Sequence, residues 1–377
     1  MFGTLKLTLL LGPVPIPAPG DIVESLSAVK VNAGSGDSQS GFELTFEVPI
    51  GTRLRKIFLA TGGGAAGGVP FMRVILIVTL NGRAEPIIDG FATDIEAQPT
   101  ENGVARLIVK GKDLCAIMDV QQMPAIPYPA MPPSVRVSSI LAKYTAFGII
   151  PKVIPAVIDE PPSPLEQIPQ QQGTDYQYVR RLAQDAGYVF YLEPGPTPGL
   201  STAYWGPEIR IGMPQPALTT GMDAVSNVDQ MSFHLDREAK SIPVVFFHEP
   251  QTKLAIGLPI PDVTPMNPPL GLVPPLPPRI EHLHDTGHLT PGQAMMRGLA
   301  HVSQHSDAVF GDGTLDVAKY GRILKSRRLV GVRGAGLPYD GLYYVKNVSH
   351  DIRRGAYKQS FSLARNGLFS TLPRVPT

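Results

Sequence analysis

Polar and apolar positions alternate with a period of two along much of this chain. Phe42–Val48 alternate, Arg73–Leu80 form a strongly apolar run, and Asn81–Gly82 is the dipeptide of a tight hairpin turn. Leu107 and Val109 alternate with Arg106 and Lys110, and Phe361 and Leu363 with Ser360 and Ser362. Each pattern predicts a strand with one packed face and one wet or contacting face. A longer echo is superimposed on this alternation. IIDGFATDIEAQPTENGVARLIVKGKDL (87–114) and YDGLYYVKNVSHDIRRGAYKQSFSLARNGL (339–368) each contain Asp-Gly and an apolar residue, Asp89-Gly90-Phe91 against Asp340-Gly341-Leu342. Each turns at a glycine 13 or 14 residues later, Gly103 and Gly355, and each continues into an alternating strand. Two unrelated hairpins could share this outline, because Asp-Gly turns and glycine tips are common. If the echo is real, one chain carries two copies of a β-module, and a ring of such chains shows twice as many modules as subunits.

The pattern divides the chain into stretches. Residues 1 to about 120 read as β, opening with the strand LKLTLLLG. That segment is too short to span a bilayer and lacks a basic leader and a small-residue cleavage site. Within it, the Gly-rich 61–68 predicts a loop tip poor in side chains, with no GK[ST] to suggest a phosphate cradle. From 121 to 216 the pattern is mixed. After the MPAIPYPAMPP linker, Ser138 is expected to cap a short helix ending near Gly148. Thr174–Gly187 is the strongest helix signal: Thr174 and Gln177 match a capping box, Asp175 suits the positive end, and Gly187 supplies the stop. Tyr178, Val179, Leu182, Ala183 and Ala186 form its apolar face, and the strand YVFYL follows. Beyond 217 the β-pattern resumes in MSFHLD and IPVVFFHEP. Nine prolines in 259–278 then predict an extended, polyproline-like excursion. Thr290, Pro291 and Gln293 start another helix with Leu299 and Val302 on its apolar side, and the chain finishes as β.

Composition narrows the function. At 377 residues and 43% apolar content, the chain builds a large core without a metal or disulfide staple. A net charge of +1 gives no electrostatic case for nucleic-acid recognition. No stretch approaches the ~20 apolar residues of a transmembrane helix, so a soluble chain without direct membrane insertion is expected. The single cysteine, Cys115, excludes an internal disulfide, fits assembly in a reducing cytoplasm, and lies among apolar residues as an inert thiol. No GxSxG, Cys-His or Walker signature occurs, and Asp236, Glu238, Glu249, Asp312 and Asp316 are scattered rather than paired. Histidines are the one cluster of potential chemistry: His282, His284 and His288 precede His301 and His305, the last two a helical turn apart. Such spacings bring imidazoles onto one zinc ion, which makes a metal-dependent β-rich hydrolase using His282, His284, His301 and His305 the alternative function. The catalytic HExxH form is missing, and polar surface histidines are the commoner reading. No catalytic, cofactor-binding or metal-binding residue is therefore assigned, no cofactor is expected, and the chain reads as non-enzymatic.

Two segments resemble the phage late control D and VgrG family, the baseplate hubs of contractile tails and injection systems. GTDYQYVRRLAQDAGYVFYLEP (173–194) is similar to the family's Thr-Asp-aromatic helix with its Arg-Leu-Ala and Gly-aromatic continuation. GLYYVKNVSHDIRRGAYKQSFSLARNG (341–367) is similar to its closing hairpin. The resemblance implies a mainly β fold with α+β insertions: two tube-like antiparallel β-barrel domains plus a small α/β domain. The first barrel falls in 1–120, the α/β connecting domain in 121–216, and the second barrel in 217–257 and 312–370, with the proline-rich excursion and helix 258–311 inserted. It further implies a homotrimer with pseudo-six-fold symmetry that joins the hexameric inner tube, or its initiator, to the trimeric spike, among other baseplate components of a virion or released particle. Many VgrG chains continue into an OB-fold and a β-helical needle. This sequence stops within ten residues of its last hairpin, from which a separate spike protein is expected.

Overall fold

The computed structural model describes residues 5–12, 14–34, 39–49, 72–99, 104–156, 158–161, 164–165, 168–221, 226–248, 254–260, 267–275, 279–284 and 290–372. The protein is mainly β, with largely antiparallel sheets. Its first third contains β1 (Leu5–Leu11), β2 (Ile16–Pro17), the short helix α1 (Gly20–Ser25), β3 (Leu26–Gly34), β4 (Gly41–Pro49), β5 (Arg73–Leu80), β6 (Arg83–Pro99) and β7 (Val104–Asp113). The β5–β6 turn is Asn81–Gly82, with φ of 53° and 80°, the left-handed pair that matches a hairpin's twist. Strand β7 alternates as expected: Leu107 and Val109 are buried, and Arg106 and Lys110 are exposed. The Gly-rich stretch 61–68 lies outside the described residues.

Three strands with α2 (Cys115–Met118), α3 (Pro133–Ala142) and α4 (Asp175–Asp185) form a second unit. In its sheet, β10 (Ser201–Gly206) pairs parallel with β8 (Ile149–Val153) and antiparallel with β9 (Val189–Pro194). Helix α4 begins with the expected capping box: Thr174 Oγ1 accepts from the Gln177 N–H, and the Gln177 side chain accepts from the Thr174 N–H. Tyr178, Val179, Leu182 and Ala183 are buried, and Ala186 packs at the margin. Gly187, at φ 66°, ends the helix where a Cβ would come within 2.5 Å of the Ala300 Cα, so only glycine allows this approach. The expected helix at Ser138 differs in its boundaries. Helix α3 starts at Pro133, whose locked φ suits the first helical position, and ends at Ala142. Ser138 sits inside it with its hydroxyl donating to the Ser134 carbonyl.

The remainder contributes β11 (Gln215–Thr219), β12 (Gln230–Leu235), β13 (Ser241–His248), β14 (Ala255–Pro259), β15 (Gly271–Val273), β16 (Arg279–His282), α5 (Pro291–Gln304), β17 (Val309–Asp316), α6 (Val317–Tyr320), β18 (Leu329–Arg333), β19 (Gly341–Arg353), β20 (Ala356–Arg365) and β21 (Leu368–Ser370). Helix α5 carries the expected Thr290–Gln293 capping box and buries Val302. Two expectations are corrected. The run IPVVFFH does not join the large sheet. It forms a separate three-stranded sheet with β14 and β16 and packs under α5 through Val245, Ile260, Ala294 and Val302. The proline excursion is likewise not wholly extended coil, because the proline-free Leu270–Val273 keeps the donors a ladder needs. Strand β15 pairs with β21, and Asn366 Oδ1 accepts from both the Leu270 and Gly271 N–H groups. Among the described residues, no helix is long and apolar enough to cross a membrane.

Candidate assembly surface

A thirteen-stranded sheet runs in the order β12-β17-β20-β19-β3-β4-β7-β6-β5-β1-β2, with β18 beside β19 and β11 beside β18. Within it one pattern occurs twice. The antiparallel order β5-β6-β7-β4-β3 in the first third is matched by β18-β19-β20-β17-β12 in the last, and in both the five strands follow the same sequence along the chain. The long central hairpins β6–β7 and β19–β20 are each interrupted by one bulge, at Thr93 and at Lys346. Superposing the ladders on these bulges brings Glu43 onto Asp312, Thr45 onto Thr314, Phe46 onto Leu315 and Glu47 onto Asp316. The Asp-Gly pairs that carried the echo in the sequence then fall two residues apart. The hairpins correspond, but those dipeptides do not. Gly341 has φ 140°, whereas Gly90 is needed because a Cβ would meet the Lys112 carbonyl oxygen at 2.1 Å.

The two five-stranded units are fused edge to edge. Strand β3 pairs antiparallel with the outer half of β19 from Asn347↔Gly34 to Arg353↔Ala28. Val29, Val31, Val348, His350 and Ile352 are all buried at this joint, and both units share one apolar cluster. Burial alone pulls the His350 imidazole down to a pKa of about 4. Its Nδ1 lies 2.6 Å from the Tyr357 hydroxyl and 3.4 Å from Gln359 Nε2. Gln359 Nε2 is a donor, so Nδ1 accepts and the ring is held neutral.

Charged groups fasten the middle unit to this sheet at two places. Beneath β5 and β6, Arg73 binds Asp89 through two bonds of 2.7 Å and donates to the Gly199 carbonyl at 2.9 Å, while the Ser201 hydroxyl donates to Asp89 at 3.2 Å. At the β19 bulge, Lys346 reaches Glu208 at 3.1 Å and Asp307 at 3.0 Å, and Arg210 grips both carboxylates while lying over the Tyr344 ring. Burial alone would raise Asp307 and Glu208, but Arg210 and Lys346 more than offset it and hold both below the usual carboxylate range. The bulge makes this possible, since its extra residue turns Lys346 out of the ladder. In the sequence Asp89 stood out only as part of the Asp-Gly echo and Arg73 only as the start of an apolar run; Glu208, Arg210, Asp307 and Lys346 were not singled out, although Lys346 also stands inside an apolar run.

The histidines do not converge. His301 Nε2 is within 3.2 Å of Glu281 and 3.1 Å of the Ser241 hydroxyl, and its ring stacks on His305 at 4.2 Å. Burial, together with the charge of His305, lowers the His301 pKa. His282, on β16, lies against the Phe246 ring of β13, and His284 follows two residues beyond it, past the end of the strand. Among the described residues, no three His, Cys, Asp or Glu side chains are grouped to hold one ion, and His288 lies outside those residues. Cys115 is buried, and desolvation drives its thiol pKa well above normal, leaving it a poor nucleophile.

No family model and no curated protein matches the sequence. Solved structures do match. A tail protein from Neisseria meningitidis MC58 is similar over 97% of this chain and 98% of its own, with TM-score 0.61 and 12% identity. The 43 kDa tail protein of prophage MuSo2 from Shewanella oneidensis is similar over 96% and 99%, with TM-score 0.63 and 12% identity. This is a phage tail-protein fold. It extends to the E. coli c3393 protein, described as a type VI secretion system component similar to the T4 tail proteins gp27 and gp5, over 99% of this chain and 80% of that one, with TM-score 0.53 and 10% identity. It extends also to a chain of the Francisella PdpA-VgrG complex, at TM-score 0.60 and 9% identity, over 99% of this chain and 55% of that one. The expected resemblance to tail and VgrG proteins holds at the level of the tail-protein fold.

Proposed function

We propose that the chain is a structural baseplate hub: a homotrimer whose three copies present six similar β-modules, joining a hexameric inner tube to a trimeric spike. Each five-stranded unit supplies one tube-type β-module, the middle unit (121–216) braces them, and the role is mechanical rather than catalytic. The observation that carries this reading is the doubled strand order within one polypeptide. A three-fold assembly matches a six-fold partner only if each chain offers two similar edges, and here two units of the same order are fused side by side. Similarity to phage tail proteins across nearly the whole chain supports the same role. The surroundings of such a hub are a tube protein above, a spike below and baseplate components around it, in a particle assembled in the bacterial cytoplasm. Sedimentation of the purified chain and electron microscopy of its particle test this. Three copies with six modules around the axis are expected. A stable monomer under assembly conditions, or one module per copy around the channel, would refute it.

A further inference from the structure

The fused joint inside the chain specifies a second joint between chains. Strand β3 of the first unit corresponds to β12 of the second, and β19 corresponds to β6. The pair β3–β19 is made within the chain. Among the described residues the corresponding pair is not made within the chain: β12 ends the sheet, and the outer half of β6, beyond Phe91, has no described strand beside it on the edge opposite β7. We infer that β12 of one copy pairs antiparallel with the outer half of β6 in the next copy. This joint presupposes the three-copy ring proposed above.

The register follows from the ladders. Lys30, paired with Glu43, corresponds to Ser232, paired with Asp312, while Asp351 corresponds to Gln98. The internal pairs Lys30↔Asp351, Asn32↔Ser349 and Ala33↔Val348 therefore translate into Ser232↔Gln98, His234↔Glu96 and Leu235↔Ile95.

Two observations point to a second copy as the occupant. At the closed joint the inward row, Val29, Val31, Val348 and Ile352, is buried; at the open edges Met231, Phe233, Leu235 and Ile95 reach the same core but remain partly exposed. An unfinished apolar row on strand edges that have no described partner calls for a strand that completes both. The polar row also fits: Asp351 faces Lys30 in the closed joint, and in the open one the exposed Glu96 would lie opposite the exposed His234, a hydrogen-bond acceptor facing an imidazole N–H. A head-to-tail contact of this kind generates a closed ring or a filament, so the same joint made three times leaves neither β12 nor the outer half of β6 as a free edge.

The test uses the full chain carrying Glu96→Cys and His234→Cys, both on the exposed face, with buried Cys115 left in place. Oxidation followed by non-reducing electrophoresis is expected to convert monomer into covalent dimer and trimer. Each single variant should remain monomeric on the gel. Glu96→Cys with Ser232→Cys, displaced by two residues or about 6.8 Å along the strand, exceeds disulfide reach and should not cross-link. Sedimentation of the unoxidised variant separates the possible failures. Trimers without the 96–234 bond, or with the displaced bond instead, would overturn this joint and leave the ring reading standing. Monomers without cross-links would overturn both.

Discussion

Acid should loosen this protein at the joint between its two β-units, through His350. The ring is buried, opposite Val31 in the β3–β19 ladder, and neutral, with its pKa drawn down to about 4 from an ordinary 6.5. A base whose folded pKa lies below its unfolded value contributes stability that is fully present above the unfolded pKa. That contribution is lost as pH falls through the interval down to the folded pKa. A displacement of this size limits the effect to about 3 kcal/mol, most of which would be lost by pH 4.5. The comparison is urea unfolding of the wild type and of His350→Gln at pH 7.5 and 4.5. The substitution costs packing at both values, but it removes the titration, so the difference between the two proteins should shrink by roughly 2 kcal/mol on acidification. Other carboxylates and histidines titrate in both proteins and cancel. An unchanged difference, or a His350 pKa near 6.5 by NMR titration, would refute the reasoning.

Asp307→Asn leaves Arg210 buried with only Glu208 to neutralise it, and should cost about 3 to 5 kcal/mol in chemical denaturation. Replacing both Asp307 and Arg210 with apolar residues should cost less than the single change. Phe361 is buried with its ring over Gly313, so Phe361→Ala should cost about 3 to 5 kcal/mol, and Phe361→Asp should yield no folded trimer in size-exclusion chromatography. Elemental measurement of the purified protein should return no stoichiometric zinc, and His301→Ala with His305→Ala should leave the sedimentation profile unchanged. Loss of a bound metal together with loss of assembly would restore the hydrolase alternative.

Local features were legible wherever a local rule decides them. The capping boxes at Thr174 and Thr290, the Asn81–Gly82 turn, and the inward faces of β7 and β20 each depend on residues within one or two turns of the chain. Boundaries were missed where two local signals compete, as at Ser138, which reads as a cap but lies behind Pro133. Strand β13 was placed in the wrong sheet because an apolar run does not say which partner will cover it. The ion clusters were invisible because Arg73 and Asp89 meet across the β5–β6 hairpin only once the strand register is set, and because their contacts with Gly199 and Ser201, like those of Arg210 with Asp307 and of Lys346 with Glu208, join residues about a hundred positions apart through packing.

By itself the sequence determined that this is a β-rich chain with two long glycine-tipped hairpins and two well-capped helices, because alternation, caps and turns are short-range physics. Only the tertiary structure decided that the repeat spans five strands in the same order and that β3 closes against β19. Strand pairing joins residues hundreds of positions apart through backbone groups that every residue carries, so no side-chain pattern announces it.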